Sequence, residues 1–188
     1  MISAMRTLLA AFAALLLSGC WLGESFYTAA DARPAIPAGN YRGVNSNGDA
    51  VPAPIAITLL PDGMTQIARA PDQPPIVVGF APLDATGRTF VAWTAESSIP
   101  GRTGNGSYYG LLQRADNGDF LYYVPFCEDT EAAARAAGAA VETPVDGPKT
   151  CRFPDRARLE AALRQLRPDP ADPSKMILRL TRVPDGQG

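Results

Sequence analysis

Apolar and polar residues alternate along most of the stretch from Gly39 to Phe126. A period of two sends successive side chains to opposite faces of a strand. Ile55, Ile57 and Leu59 hold alternate positions before a turn at Pro61-Asp62-Gly63. The plan recurs around Asp84 to Gly87 and around Asp116-Asn117-Gly118-Asp119. Gly and Asn there supply the positive φ of tight hairpin turns. Three hairpins in series, with "NYRGV" before them and "KMILRLTRV" near the end, predict about eight strands. That spacing favours an antiparallel sheet or a small barrel. "FLYYVPF" (120–126) is aromatic on both faces, so it is expected to lie centrally or beneath a helix.

After Cys127 the pattern changes. Acidic residues followed by an alanine-rich body predict a helix over 128–142, in which Gly138 costs about 1 kcal/mol relative to Ala. A second helix is predicted over 155–167. Asp155 caps it, and Leu159, Ala162, Leu163 and Leu166 form one apolar stripe. The fold class that follows is α+β: a predominantly antiparallel sheet or small barrel with two C-terminal helices packed on it. It forms a single domain over 37–184, with a flexible tail at 185–188.

The N-terminus belongs to none of this. Arg6 is the only charge before Glu24, and "LLAAFAALLL" (8–17) follows it, the order of a secretory signal. Ten apolar residues are too few to span a bilayer core, which needs about 20. The run ends Leu17-Ser18-Gly19-Cys20, which resembles the lipobox of bacterial lipoproteins. The resemblance covers residues 1–20 only. It implies removal of a signal peptide at 1–19 and acylation of Cys20 on its thiol and freed amine, which anchors the chain to a membrane. Trp21 stands where an Asp would imply inner-membrane retention, so the expected location is the periplasmic face of the outer membrane. Residues 20–36 end rich in Ala and Pro and read as a lipidated tether. The rest of the chain resembles no family.

With Cys20 acylated, Cys127 and Cys151 remain as an even pair in an oxidising compartment, and a disulfide is expected. It would close a loop of about 25 residues and contribute on the order of 3 kcal/mol.

Without the signal peptide, 16 basic residues face 19 acidic ones, a balance that gives no reason to expect nucleic-acid binding. The chain has no histidine. That excludes Ser-His-Asp and Cys-His nucleophile systems and His-ligated metal sites. No catalytic residue, cofactor or metal site is expected.

Two groups of candidate contact residues remain. Tyr108-Tyr109 and Tyr122-Tyr123, with Trp93 near them, place one ring of each doublet on each face of a strand; one face belongs to the core, and the other is a candidate ligand-facing platform. Arg156, Arg164 and Arg167 form a candidate basic face on the second helix, unless pairs such as Arg156–Glu160–Arg164 neutralise it. The expected partners are the membrane, through the anchor, and an envelope protein. The first functional expectation is a non-enzymatic scaffold or interaction module, and the alternative is a β-barrel that binds a small apolar or lipid-like ligand.

Overall fold

The computed structural model describes residues 21–69, 73–99, 104–143, 148–166 and 177–184. The signal segment 1–19, Cys20, Arg167 and the tail at 185–188 lie outside them. Its strands are β1 (Trp21–Gly23), β2 (Gly39–Asn45), β3 (Ile55–Leu59), β4 (Thr65–Ala68), β5 (Ile76–Pro82), β6 (Thr89–Ala95), β7 (Ser107–Arg114), β8 (Phe120–Tyr123), β9 (Ala140–Glu142), β10 (Thr150–Phe153) and β11 (Leu178–Arg182). Among the described residues there are also two α-helices, α1 (Cys127–Ala136) and α2 (Arg156–Leu166), and short 3-10 turns.

Eight of the strands close a barrel. The order β6-β5-β4-β3-β2-β11-β8-β7 returns to β6 through a β6–β7 ladder, and every neighbouring pair in it is antiparallel. These are the eight strands that the period of two predicts. The three expected hairpin turns place Gly63, Gly87 and Gly118 at positive φ, as their turn chemistry requires. Closure removes the unpaired edges that an open sheet would expose.

Three strands that the pattern does not predict extend the sheet at a fork. The second half of β7, Leu111 to Arg114, pairs with β8; its first half, Ser107 to Tyr109, pairs with β1. Pro125 follows soon after β8 and has no N–H to give, so the chain leaves the wall and β1 takes the vacated place. Gly110 marks the fork: a Cβ there would lie 2.8 Å from the Tyr123 carbonyl oxygen. β1 then pairs in parallel with β10, and β10 antiparallel with β9.

Two expectations need correction. The helix expected over 128–142 stops at Ala136. Gly138, at φ 84°, is its terminator rather than an interior cost: its N–H donates to the Arg135 carbonyl (2.8 Å) and that of Ala139 to the Ala134 carbonyl (2.9 Å), the Schellman arrangement. The released residues 140–142 become β9. The segment read as a tether is not loose. Trp21, Leu22, Tyr27, Ala32 and Ile36 are buried, because the barrel offers this apolar-rich stretch a surface on which to bury them. The second helix matches its prediction, with the Asp155 carboxylate accepting from the Arg158 N–H at 2.8 Å.

The apolar side chains fall into two clusters separated by the barrel wall. One fills the lumen: Ile36, Tyr41, Ile55, Ile57, Val78, Phe80, Phe90, Ala92, Leu112, Phe120 and Leu180. The other lies outside, where Trp21, Trp93, Tyr109, Leu111 and Tyr123 meet Leu159, Ala162 and Leu163 of α2 and Ala134 of α1. Alternation along β6 shows the division directly. Phe90 and Ala92 face in, while Val91 and Trp93 face out. A disulfide between Cys127 and Cys151, Cα atoms 5.3 Å apart, ties the first residue of α1 to β10.

Candidate ligand-binding mouth of the barrel

The two ends of the lumen are built differently. At the end that carries the three hairpin turns, Phe80, Phe90, Leu112, Phe120 and Leu180 are buried, and Ile36 is packed among them. The entering chain seals this end: Tyr41 donates its hydroxyl to the Pro37 carbonyl at 2.8 Å, and the Arg33 N–H donates to the Phe80 carbonyl at 2.8 Å. At the opposite end, Val51, Ile67, Ile76, Tyr122 and Leu178 pack on the lumen cluster but stay half-buried. An eight-stranded barrel is just wide enough to be filled by side chains or to hold one small ligand. Here one end is lined by buried side chains and the other by half-buried ones, which makes the latter the candidate mouth.

Of the tyrosine doublets, Tyr122 is on the lumen side, and Tyr108 shares that side through its strand parity with Leu112. Gly110, also in that parity, leaves room for Tyr122: a Cβ there would meet the phenol oxygen at 3.1 Å and the ring at 3.2 Å. One basic side chain shares the mouth. Arg69 follows β4 in the inward phase of Thr65 and Ile67 and is half-buried. Burial pushes its guanidinium below the ordinary arginine value, and the Tyr122 phenol acts in the opposite direction. β4 and β8 are four strands apart in either direction around the barrel, so this coupling runs across the lumen.

The other members of the aromatic set are committed to the outer core. Tyr109, Tyr123 and Trp93 are buried there. The Tyr109 hydroxyl accepts from the Phe26 N–H at 3.0 Å and donates to the Glu24 carbonyl, which straps residues 24–27 to the wall. Tyr27 stacks on Trp93 with centroids 4.9 Å apart, and the Arg156 guanidinium lies 4.1 Å over the other side of its ring. The Tyr27 hydroxyl donates to Glu160 at 2.9 Å. Burial, followed by the Glu160 charge, pushes this phenol well above its ordinary value.

The candidate basic face is neutralised where it is described. Arg156 binds Glu160 and Asp31, both at 2.9 Å, and Arg164 binds Glu160 at 2.7 Å. Arg167 lies outside the described residues. Burial works to raise the Glu160 carboxyl, but hydrogen bonds from Arg156, Tyr27 and Arg164 hold it below the usual carboxylate range. These residues fasten the N-terminal strap to α2.

A separate polar cleft of about 560 Å³ opens on the outside, between Glu24, Glu96, Arg152 and the Gly104–Gly106 backbone. Arg152 is already paired with Glu142 at 2.9 Å, and the described residues contain no group of three acidic, Cys or His side chains placed to hold a metal ion.

Sequence reasoning missed Arg69. The available signal was an arginine continuing the buried phase of an amphipathic strand, Thr65-x-Ile67-x-Arg69, where an outward lysine or arginine would fall out of phase. Neither a protein-family model, nor a curated protein, nor a solved structure matches this chain.

Proposed function

We propose that this protein is a lipid-anchored envelope protein whose barrel holds a small apolar ligand at the mouth end of its lumen. The observation that carries this reading is the unequal filling of the lumen. One end is sealed by Ile36 and five buried side chains, whereas the other presents a half-buried ring of Val51, Ile67, Ile76, Tyr122 and Leu178. Concave, mostly apolar sites with a few polar groups are the usual form of small-molecule pockets. The scaffold reading draws on missing motifs, while the binder reading draws on a built feature. The outer aromatic face, the other surface considered for contacts, is occupied by the protein's own helices and strap.

The anchor remains part of the proposal and is supported by Leu17-Ser18-Gly19-Cys20. Trp21 is fully buried in β1, so a lipid on Cys20 joins the chain one residue before the sheet. The tether expected over 20–36 would then contribute little reach, and the domain would sit close to the periplasmic face of the outer membrane.

Native mass spectrometry of a secreted Cys20→Ser form, taken directly from periplasm, tests the ligand. A discrete added mass that vanishes on denaturation is expected. A bare protein mass from a folded sample counts against a tightly held ligand. The same spectra of the wild-type chain extracted in detergent should show the acyl mass on Cys20.

A further inference from the structure

The mouth contains a charge that an apolar ligand alone does not explain. Arg69 is half-buried and enters no ion pair among the described residues. Arg88, Arg135, Arg152, Arg156, Arg158 and Arg164 each bind a carboxylate. Arg33, Arg42, Arg114 and Arg182 do not, but they are exposed. The half-buried Arg179 lies on the outward phase of β11, between Leu178 and Leu180. Arg69 is therefore the half-buried arginine without an ion pair on the lumen phase among the described residues. A guanidinium withdrawn from water without an anionic partner is unfavourable in proportion to its burial, and an arriving anion reverses the sign of that contribution. The planar fork suits a carboxylate or a phosphate in two-pronged contact.

The surroundings of Arg69 set the rest of the ligand's chemistry. Across the lumen stands the Tyr122 phenol, electrostatically coupled to Arg69. By register Ile55 is the cross-strand neighbour of Arg69, the lining around them is apolar through Ile67, Ile76 and Leu178, and Phe80 is buried in the same lumen cluster. Over Gly43 the room is already taken by side chains, since a Cβ there would come within 2.8 Å of Ile55, 2.9 Å of Val51 and 3.1 Å of Leu178, so the free depth is short. A charge at the rim above a shallow apolar floor matches a molecule with an anionic head and one short tail.

We infer that the mouth selects a single-chain amphiphile with an anionic head group, held at the rim by the guanidinium of Arg69 opposite Tyr122. The inference rests on the barrel-binder reading and names its ligand class. The head belongs either to a free carboxylate or to a lipid-type phosphate monoester, which share this chemistry.

Calorimetric titration of the secreted Cys20→Ser chain with decanoate, decyl phosphate and 1-decanol tests it, using Arg69→Gln and Arg69→Lys beside the parent. Both anions are expected to bind the parent more tightly than the alcohol. Arg69→Gln should weaken them by about tenfold or more while changing 1-decanol by less than about twofold, with Arg69→Lys intermediate. Preference for decanoate or for decyl phosphate identifies the source of the head. If Arg69→Gln folds, as near-UV circular dichroism reports, and binds the anions as tightly as the parent, Arg69 does not read the head and this inference is overturned while the barrel reading stands. If neither the anions nor 1-decanol bind the parent, both fail together.

Discussion

The two apolar cores of this protein are held by different means. The lumen core is made of aliphatic and aromatic side chains, most of them from three successive hairpins, with Tyr41 of β2 and Leu180 of β11 joined to them through strand pairing. The outer core is assembled over long chain distances. Trp21 donates its indole N–H to Thr130 at 2.8 Å, Tyr27 reaches Glu160, and the disulfide joins Cys127 to Cys151. Local alternation and backbone ladders suffice to build the first core. The second needs specific polar and covalent fasteners, because two short helices and a three-residue strand bury too little surface to dock on propensity alone.

The largest effect is expected from Trp21→Ala. Trp21 is fully buried, packs on Phe153 with centroids 4.7 Å apart and donates to Thr130, so its removal should cost about 3–5 kcal/mol in urea unfolding. Hydrogen exchange sharpens the comparison. Amides of β10, α1 and α2 should lose protection before those of β3 to β6; simultaneous loss would mean that the two cores form one cooperative unit.

Next is the disulfide. Replacing Cys127 and Cys151 together by Ala should cost about 3 kcal/mol, given a sequence separation of 24. The loss should lie in the same outer elements. Gly79→Ala tests the wall between the cores. Its Cβ would lie 2.1 Å from the Trp93 ring, so the indole must move, at an expected cost of about 1–3 kcal/mol seen as a lowered thermal midpoint and an altered Trp fluorescence.

The smallest effect is in the strap. Tyr27→Phe removes one hydrogen bond to Glu160 and should cost about 1 kcal/mol. The strap also predicts a pH dependence. Hydrogen bonding from the Thr28 N–H, then from Arg156, holds Asp31 below the usual carboxylate range, and Glu160 is held low as well. Their contribution is present above the unfolded carboxylate values near about 4 and is lost as pH falls through the lower folded ones. Urea midpoints measured between neutral pH and acid should therefore fall on acidification, and Glu160→Gln should flatten part of that fall.

The sequence by itself determined the eight barrel strands, their three tight turns, the capped second helix and a cysteine pair suited to bridging. These are local properties. A period of two, a glycine at positive φ and an Asp before an apolar stripe each act within a few residues. Tertiary structure alone decided the closure of β6 on β7, the fork at Gly110, and β1, β9 and β10, which at three or four residues are too short to display a period. It also decided that residues 21–36 pack rather than hang free, since an Ala- and Pro-rich stretch takes its structure from the surface offered to it. The doublets themselves implied that one ring of each faces either side of the wall. Which ring faces the lumen, and that the strand bearing Arg69 lies across the barrel from the one bearing Tyr122, depends on strand order, because the two walls are brought face to face through pairings between strands distant in the chain.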